Sequence, residues 1–191
     1  MKTPTTQTTP DAQLLAAWRG GDVTAFEALL RRHESPLLRH ARVFVAKGRD
    51  AEDIVQETFL KLAQSPPEVR SEPGALAAWL HRVARNVATD QVRAEARRRK
   101  REEVAAADEA TRGGLERVEG SDTVEAIERG LERLPEDQRE VLSLRLFGER
   151  SYAEIAEITG KKSGTVGWLL SVGMKALAAE LGPLAPVEHA V

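Results

Sequence analysis

The chain has 191 residues, 41% hydrophobic and 30% charged, with a formal net charge of −2 and no cysteine. Those figures allow one large or two small domains with real cores, exclude a disulfide scaffold, and are compatible with a reducing cytoplasm. Aromatic residues make up only 4%, and Ala, Leu, Glu and Arg dominate without β-branched alternation, so the expected class is all-α.

Residues 1–10, MKTPTTQTTP, are rich in Thr and Pro and lack an apolar run. They are expected to form a disordered tail, neither signal peptide nor membrane span, and no membrane insertion is expected. The first block, residues 11–101, reads as helical throughout. Asp11 is placed to cap a short helix carrying Leu14, Leu15 and Trp18, which Gly20 and Gly21 end. Asp22 starts a second helix with Phe26, Leu29 and Leu30. Pro36 predicts a break or kink before that run resumes through Leu37, Leu38 and Val45. Gly48 closes it and Asp50 opens a third helix.

In residues 50–64, Ala51, Ile54, Val55, Thr58, Phe59 and Leu62 form an apolar arc. Asp53, Gln56, Glu57 and Lys61 lie opposite, with Leu60 among them. One leucine on a charged face is ordinary; ringed by acids and amides, it also has the form of a small docking patch. Residues 65–74, SPPEVRSEPG, make a Pro-rich loop feeding the next helix.

That helix concentrates positive charge: Arg82, Arg85, Arg93, Arg97, Arg98, Arg99, Lys100 and Arg101 stand against Asp90 and Glu95 in a chain that is otherwise slightly acidic. At about 100° per residue, Arg82, Arg85, Asn86, Thr89, Arg93, Arg97 and Lys100 share one face. Leu76, Leu80, Val83, Ala84, Val87 and Ala94 fall on the other. The basic face fits a polyanion, nucleic acid first, or an ordinary solvated surface. Trp79, at the border beside Asn86, suits either stacking on an unpaired base or the edge of a core.

Residues 102–122 carry Glu102, Glu103, Asp108, Glu109, Glu116, Glu119 and Asp122 against Arg112 and Arg117, with a Gly113-Gly114 break. Such a composition cannot bury a core and reads as an acidic linker. A second helical domain follows over residues 123–184, then a tail over 185–191. Asp122 and Glu125 fit a capping box, and Val124, Ile127, Leu131 and Leu134 recur at helical spacing. Pro135 suits the first position of the next helix, which Gly148 ends.

Ser151 and Glu154 form a second capping-box pattern, opening a helix that Gly160 terminates. Ser163 is placed to cap a last helix ending near Gly182-Pro183. Two helices around a glycine turn fit a helix-turn-helix, or a hairpin used only for packing. On the last helix, Val166, Leu169, Leu170, Gly173, Leu177 and Leu181 form the arc to bury. Gly164, Trp168, Ser171 and Lys175 face away with Thr165 at the flank, the side that would enter a major groove. The histidines (His33, His40, His81, His189) have no metal-ligand spacing, no phosphate-binding glycine loop appears, and no nucleophile has a nearby base. Neither cofactor nor enzymatic activity is expected. His33 and His40 read as solvated helix residues.

The stretches DAEDIVQETFLKL (50–62), AWLHRVARNVATDQVR (78–93), LPEDQREVLSLRLFGERSYAEIAEITG (134–160) and GTV (164–166) together resemble bacterial RNA polymerase sigma factors of the small, extracytoplasmic-function type. The resemblance implies a dissociable cytoplasmic subunit of core RNA polymerase that recognises promoter DNA through region two and region four. It implies that Asp53, Gln56, Glu57, Leu60 and Lys61 dock on the polymerase clamp helices. Trp79, Arg82, Arg85, Asn86, Thr89, Arg93 and Arg97 would then take the minus-ten strand, with a flipped base near the 65–74 loop. Lys161, Lys162, Ser163, Thr165, Trp168, Ser171 and Lys175 would read the minus-thirty-five element. The linker would thread the RNA-exit path, and an anti-sigma factor is a further implied partner. One departure stands out: after GTV the helix reads GWLLSVGMKAL, with Lys175 its only cation, where the family usually has a polar, arginine-bearing run. Fewer phosphate contacts weaken the electrostatic part of DNA binding, and Trp168 becomes a candidate for a thymine methyl, a sugar or a protein partner. That departure keeps open a second reading, a sigma-like protein that sequesters a regulator without initiating transcription.

Overall fold

The computed structural model describes residues 9–45, 51–68, 73–103 and 122–181. Among them there is no strand, and eight helices follow in order: α1 (Asp11–Arg19), α2 (Val23–Ala41), α3 (Ala51–Gln64), α4 (Ala75–Glu103), α5 (Asp122–Glu132), α6 (Glu136–Leu146), α7 (Tyr152–Thr159) and α8 (Ser163–Leu181). The all-α reading holds. Residues 1–8, Gly48, Asp50, residues 69–72, the linker residues 104–121, Gly182, Pro183 and the 185–191 tail lie outside the described residues, as do the side chains of Arg97, Lys100 and Asp122.

Helices α1–α4 enclose one core. Leu15, Leu29 and Leu37 meet Ile54, Phe59 and Leu62 from α3 and Leu76, Leu80 and Ala84 from α4. Helices α5–α8 enclose a second, centred on Leu131, Val141, Leu142, Ile155, Val166, Leu169 and Leu177. Gly173 lets α8 approach α6 closely: a Cβ there would lie 2.9 Å from a methyl of Leu142.

Several local expectations need correction. Asp11 makes no cap; α1 starts after Pro10 without a side-chain cap, and the Asp11 carboxylate pairs with Arg32 and, at 3.0 Å, His33 Nε2. Burial would raise the Asp11 carboxyl, but the hydrogen bonds and charges of His33 and Arg32 hold it below the usual range. Asp22 does cap α2, accepting from the Thr24 and Ala25 amides. Pro36 lies inside α2 without ending it, and the helix stops at Ala41 rather than near Val45. Pro at such a position forfeits one hydrogen bond, which packing of Leu29, Leu37 and Ala41 on both sides offsets. Pro135 sits one place before α6, not in it. Helix α8 begins at Ser163, with the Val166 amide donating to the Lys162 carbonyl.

The histidines depart most from expectation. His33 is buried against Asp11, and His40 is 0% exposed. His40 and His81 stack with ring centroids 4.9 Å apart and Nδ1 atoms 3.1 Å apart, with Phe44 on the far side of His40. His40 Nε2 has no partner. The assignment that leaves only a bare lone pair there puts the proton on His40 Nδ1, donating to His81 Nδ1. Burial first, then the Arg85 charge, pushes the His40 pKa down to about 3. His81 is likewise lowered, by burial first and then by His40, Arg150 and His33. Helical periodicity places these histidines on α2 and α4 but says nothing of two rings meeting 41 residues apart.

Both folded pKa values lie below the unfolded value near 6.5, so the unfolded chain takes up protons first as pH falls. Stability from the pair is complete above about pH 6.5 and is lost as pH descends toward 3. Each histidine contributes a slope of up to about 1.4 kcal/mol per pH unit. Thermal melts at pH 7.5 and 5.5 should show a lower midpoint at pH 5.5, and the His40 imidazole resonances should keep neutral-form shifts at both. Titration of His40 near pH 6.5 would refute the buried neutral pair.

Candidate nucleic-acid interface

Burial of the whole predicted arc of α3 turns its opposite side outward. Asp53, Gln56 and Lys61 are exposed, Glu57 is half-buried, and Leu60 is 47% exposed. Lys61 Nζ lies 3.2 Å from Glu57, an i,i+4 pair on the surface. These five residues line one groove of about 410 Å³, whose other wall is Val87, Asp90 and Gln91 of α4. Reading the sequence missed that second wall. The signal was there, since Val87 belongs to the buried face of α4 and Asp90 and Gln91 lie three and four residues on. What periodicity lacks is the identity of the neighbouring helix. A half-exposed leucine between carboxylates, amides and one lysine suits an amphipathic helix carrying complementary charge.

Around α4 from that groove lies the basic face. Trp79 is half-buried and packs on the first core, so its ring belongs to the core edge rather than to a bare surface. The Arg82 guanidinium donates to Glu157 at 2.5 Å. Arg85 Nε donates to Glu140 at 2.6 Å, with the Glu140 side chain only 4% exposed. Burial raises the Glu140 pKa, against which Arg85 acts by charge and hydrogen bond. Asn86 is exposed. The Thr89 hydroxyl donates to the Arg85 carbonyl, and Arg93 is exposed, 4.0 Å from Asp90. The structure therefore lines up Arg82, Arg85, Asn86, Thr89 and Arg93, but the first two already hold carboxylates from α7 and α6.

In the helix-turn-helix, the Ser151 hydroxyl accepts from the Glu154 amide while Glu154 accepts from the Ser151 amide, completing the expected capping box. Burial would raise the Glu154 carboxyl, but the Ser151 bonds and Arg150 hold it low. Gly160 adopts φ 70, the left-handed turn that swings the chain into α8. Val166, Leu169, Leu170, Gly173 and Leu177 are buried as expected. Thr165, Trp168, Ser171 and Lys175 face out, with Trp168 59% exposed. Lys162 and Ser163 are exposed beside them, whereas Lys161 is tied to Asp137 at 2.7 Å. Tyr152 and Met174 are also exposed, and the Arg145 guanidinium lies 5.9 Å over the Tyr152 ring. These two were missed, because exposure of a large side chain depends on what fails to cover it.

Among the described residues no His, Asp and Glu side chains are grouped to hold a metal ion, and no helix is long and apolar enough to cross a membrane.

Residues 29–98 match the Sigma-70 region 2 family, and residues 124–177 match Sigma-70, region 4. The ECF RNA polymerase sigma factor SigM of Mycobacterium tuberculosis is 33% identical over 156 residues, covering 82% of this chain and 76% of that one. The RNA polymerase sigma-H factor of Pseudomonas aeruginosa is 31% identical over 184 residues, covering 91% and 95%. Among solved structures, the sigma factor RpoE of Bartonella quintana, in complex with the anti-sigma factor NepR, superposes with a TM-score of 0.64 at 28% identity. It covers 83% of this chain and 98% of its own.

Gly160 has open space around a notional Cβ, so any penalty for a side chain there is conformational. Gly160→Ala should lower stability in urea denaturation by about 1–2 kcal/mol, and Gly160→Asn by less. Equal stability of all three chains would contradict the left-handed turn.

Proposed function

The chain belongs to the sigma-70 family of RNA polymerase sigma factors, of the extracytoplasmic-function type, and we propose how it divides transcription initiation among its helices. Residues 11–101 act as region two, residues 123–184 as region four, and residues 102–122 as the acidic linker between them. The groove between α3 and α4 receives the clamp helices of core polymerase. The observation that carries this is the convergence of Asp53, Gln56, Glu57, Leu60 and Lys61 on one groove with Val87, Asp90 and Gln91 of α4.

The basic face of α4 takes the minus-ten strand. Arg82, Arg85, Arg93 and Arg97 contact phosphates and so position it, while Asn86 lies where an unpaired base is read. Melting needs no nucleotide hydrolysis when capture of unpaired bases offsets the few kcal/mol of each unstacked step. Trp79 supports α4 from the core edge. In region four, α8 enters the major groove of the minus-thirty-five element through Lys162, Ser163, Thr165, Trp168, Ser171 and Lys175, and Lys161 joins them when it leaves Asp137. With one cation far along α8, apolar contact of Trp168 with a thymine methyl or sugar supplies discrimination that arginines supply elsewhere. An anti-sigma factor as regulator is inferred from the Bartonella relative, which was solved with one.

Leu60→Asp should weaken core polymerase binding at least tenfold with helicity unchanged, measured by size exclusion and circular dichroism. Arg82→Ala with Arg85→Ala should keep core binding but lower open-complex formation on a cognate promoter. Trp168→Ala should weaken binding to a cognate minus-thirty-five duplex. Run-off transcription with core enzyme decides the whole reading: a folded chain that binds core polymerase without initiating at any promoter would leave the sequestering protein instead.

A further inference from the structure

Part of the α4 face assigned to the promoter strand, at Arg82 and Arg85, is engaged by the chain itself. Glu140 on α6 holds Arg85 at 2.6 Å, and Glu157 on α7 holds Arg82 at 2.5 Å. At the end of α2, Arg39 and Arg42 converge on Glu128 of α5 at 3.5 and 3.1 Å. Arg150 closes the same seam by donating to the Gly74 carbonyl at 3.1 Å, and Ala78 of α4 packs into the second core. All three carboxylates belong to the second core, and the four arginines they hold belong to the first. Carboxylate oxygens accept from guanidinium groups in the geometry that phosphate oxygens use. Helix α7 also lies against α4, so a strand there is excluded by volume as well as by charge.

We propose that the second helical core is an intramolecular mimic of the nucleic-acid backbone, which masks Arg82 and Arg85 until it is displaced. The masking is selective. The groove of α3 and α4 stays open, and Thr165, Trp168, Ser171 and Lys175 on α8 stay exposed. Polymerase therefore finds its docking groove, and duplex finds the recognition helix, while single strand is refused. Arg82–Glu157 has side chains 41% and 64% exposed, and such pairs are individually weak. Arg85–Glu140 is the shielded anchor. A clasp of one anchor and several weak pairs holds the free chain shut yet gives way when polymerase binding pulls the two cores apart.

The inference rests on the reading of Arg82 and Arg85 as strand contacts, and its test separates the two. The chain has no native cysteine, so Gln64→Cys and Ala178→Cys accept a donor and acceptor dye in the full-length protein. Energy transfer reports closure, and anisotropy with a labelled 20-nucleotide single strand of mixed sequence reports binding. In Glu140→Gln with Glu157→Gln, energy transfer should fall and strand affinity rise by about tenfold. The log–log salt slope should steepen by about 1.4, as for two further phosphates on a single strand. Glu132→Gln with Glu136→Gln makes the same charge change on exposed carboxylates other than the three that hold the seam and should alter neither. If Glu140→Gln does not fold, Glu128→Lys with Glu157→Lys breaks the more exposed pairs and should lower energy transfer, against Glu132→Lys with Glu136→Lys. Unchanged energy transfer overturns the clasp. Lowered transfer with unchanged strand affinity overturns the masking and lays the fault on the assignment of Arg82 and Arg85.

Discussion

Glu140 is a carboxylate at 3% exposure, and a charge removed from water to that degree must find a cation or give up its proton. Lys161 of the second core adds a favourable charge, but the guanidinium bonded at 2.6 Å is that of Arg85, from the first. Removing one partner of a well-shielded pair typically costs about 3–5 kcal/mol, so this contact ties the two helical cores more firmly than any exposed pair. The other interdomain contacts follow from it. Once α6 is brought against α4, Glu157 meets Arg82, Glu128 meets the end of α2, and the Arg39 guanidinium lies over the Phe147 ring at 5.4 Å.

The helices themselves were legible wherever one face is buried. The arc of α3 from Ala51 to Leu62 and the buried line of α8 from Val166 to Leu177 came directly from spacing, because both elements bury one stripe and leave the other bare. The capping box of α7 and the left-handed Gly160 were equally readable, being local chemistry. Failures came where tertiary partners decide. Asp11 forgoes the cap its position suggests because Arg32 and His33 offer two charged donors. At Pro36, where a break or a kink was expected, the break does not occur, since the core holds α2 on either side of it.

The site residues divide along the same line. Which side chains of α3 face outward was a matter of period, and all five line the groove. That Val87, Asp90 and Gln91 complete it depends on how α4 crosses α3, which no single-helix pattern contains. Periodicity gathers Arg82, Arg85, Asn86, Thr89 and Arg93 on one face of α4 and offers them a polyanion or water, yet two of these arginines hold carboxylates 55 and 75 residues away. A sequence displays charges without their partners. The buried His40–His81 pair is the same lesson with neutral rings: His40, expected in water, is stacked on His81, whose Nε2 lies beside Gly148.

Helix α4 spans residues 75–103 and presents the groove wall at Val87, Asp90 and Gln91 within one turn of Asn86 and Thr89 on the adjoining flank. An α-helix advances about 1.5 Å per residue and resists stretching, so these two surfaces behave like the graduations of a ruler. A subunit seated on one edge sets the phase of whatever is gripped along the other, with no hinge to absorb a slip. With the two surfaces in the roles proposed for them, the point at which a duplex first parts would be inherited, through a rigid rod, from the way two proteins fit together.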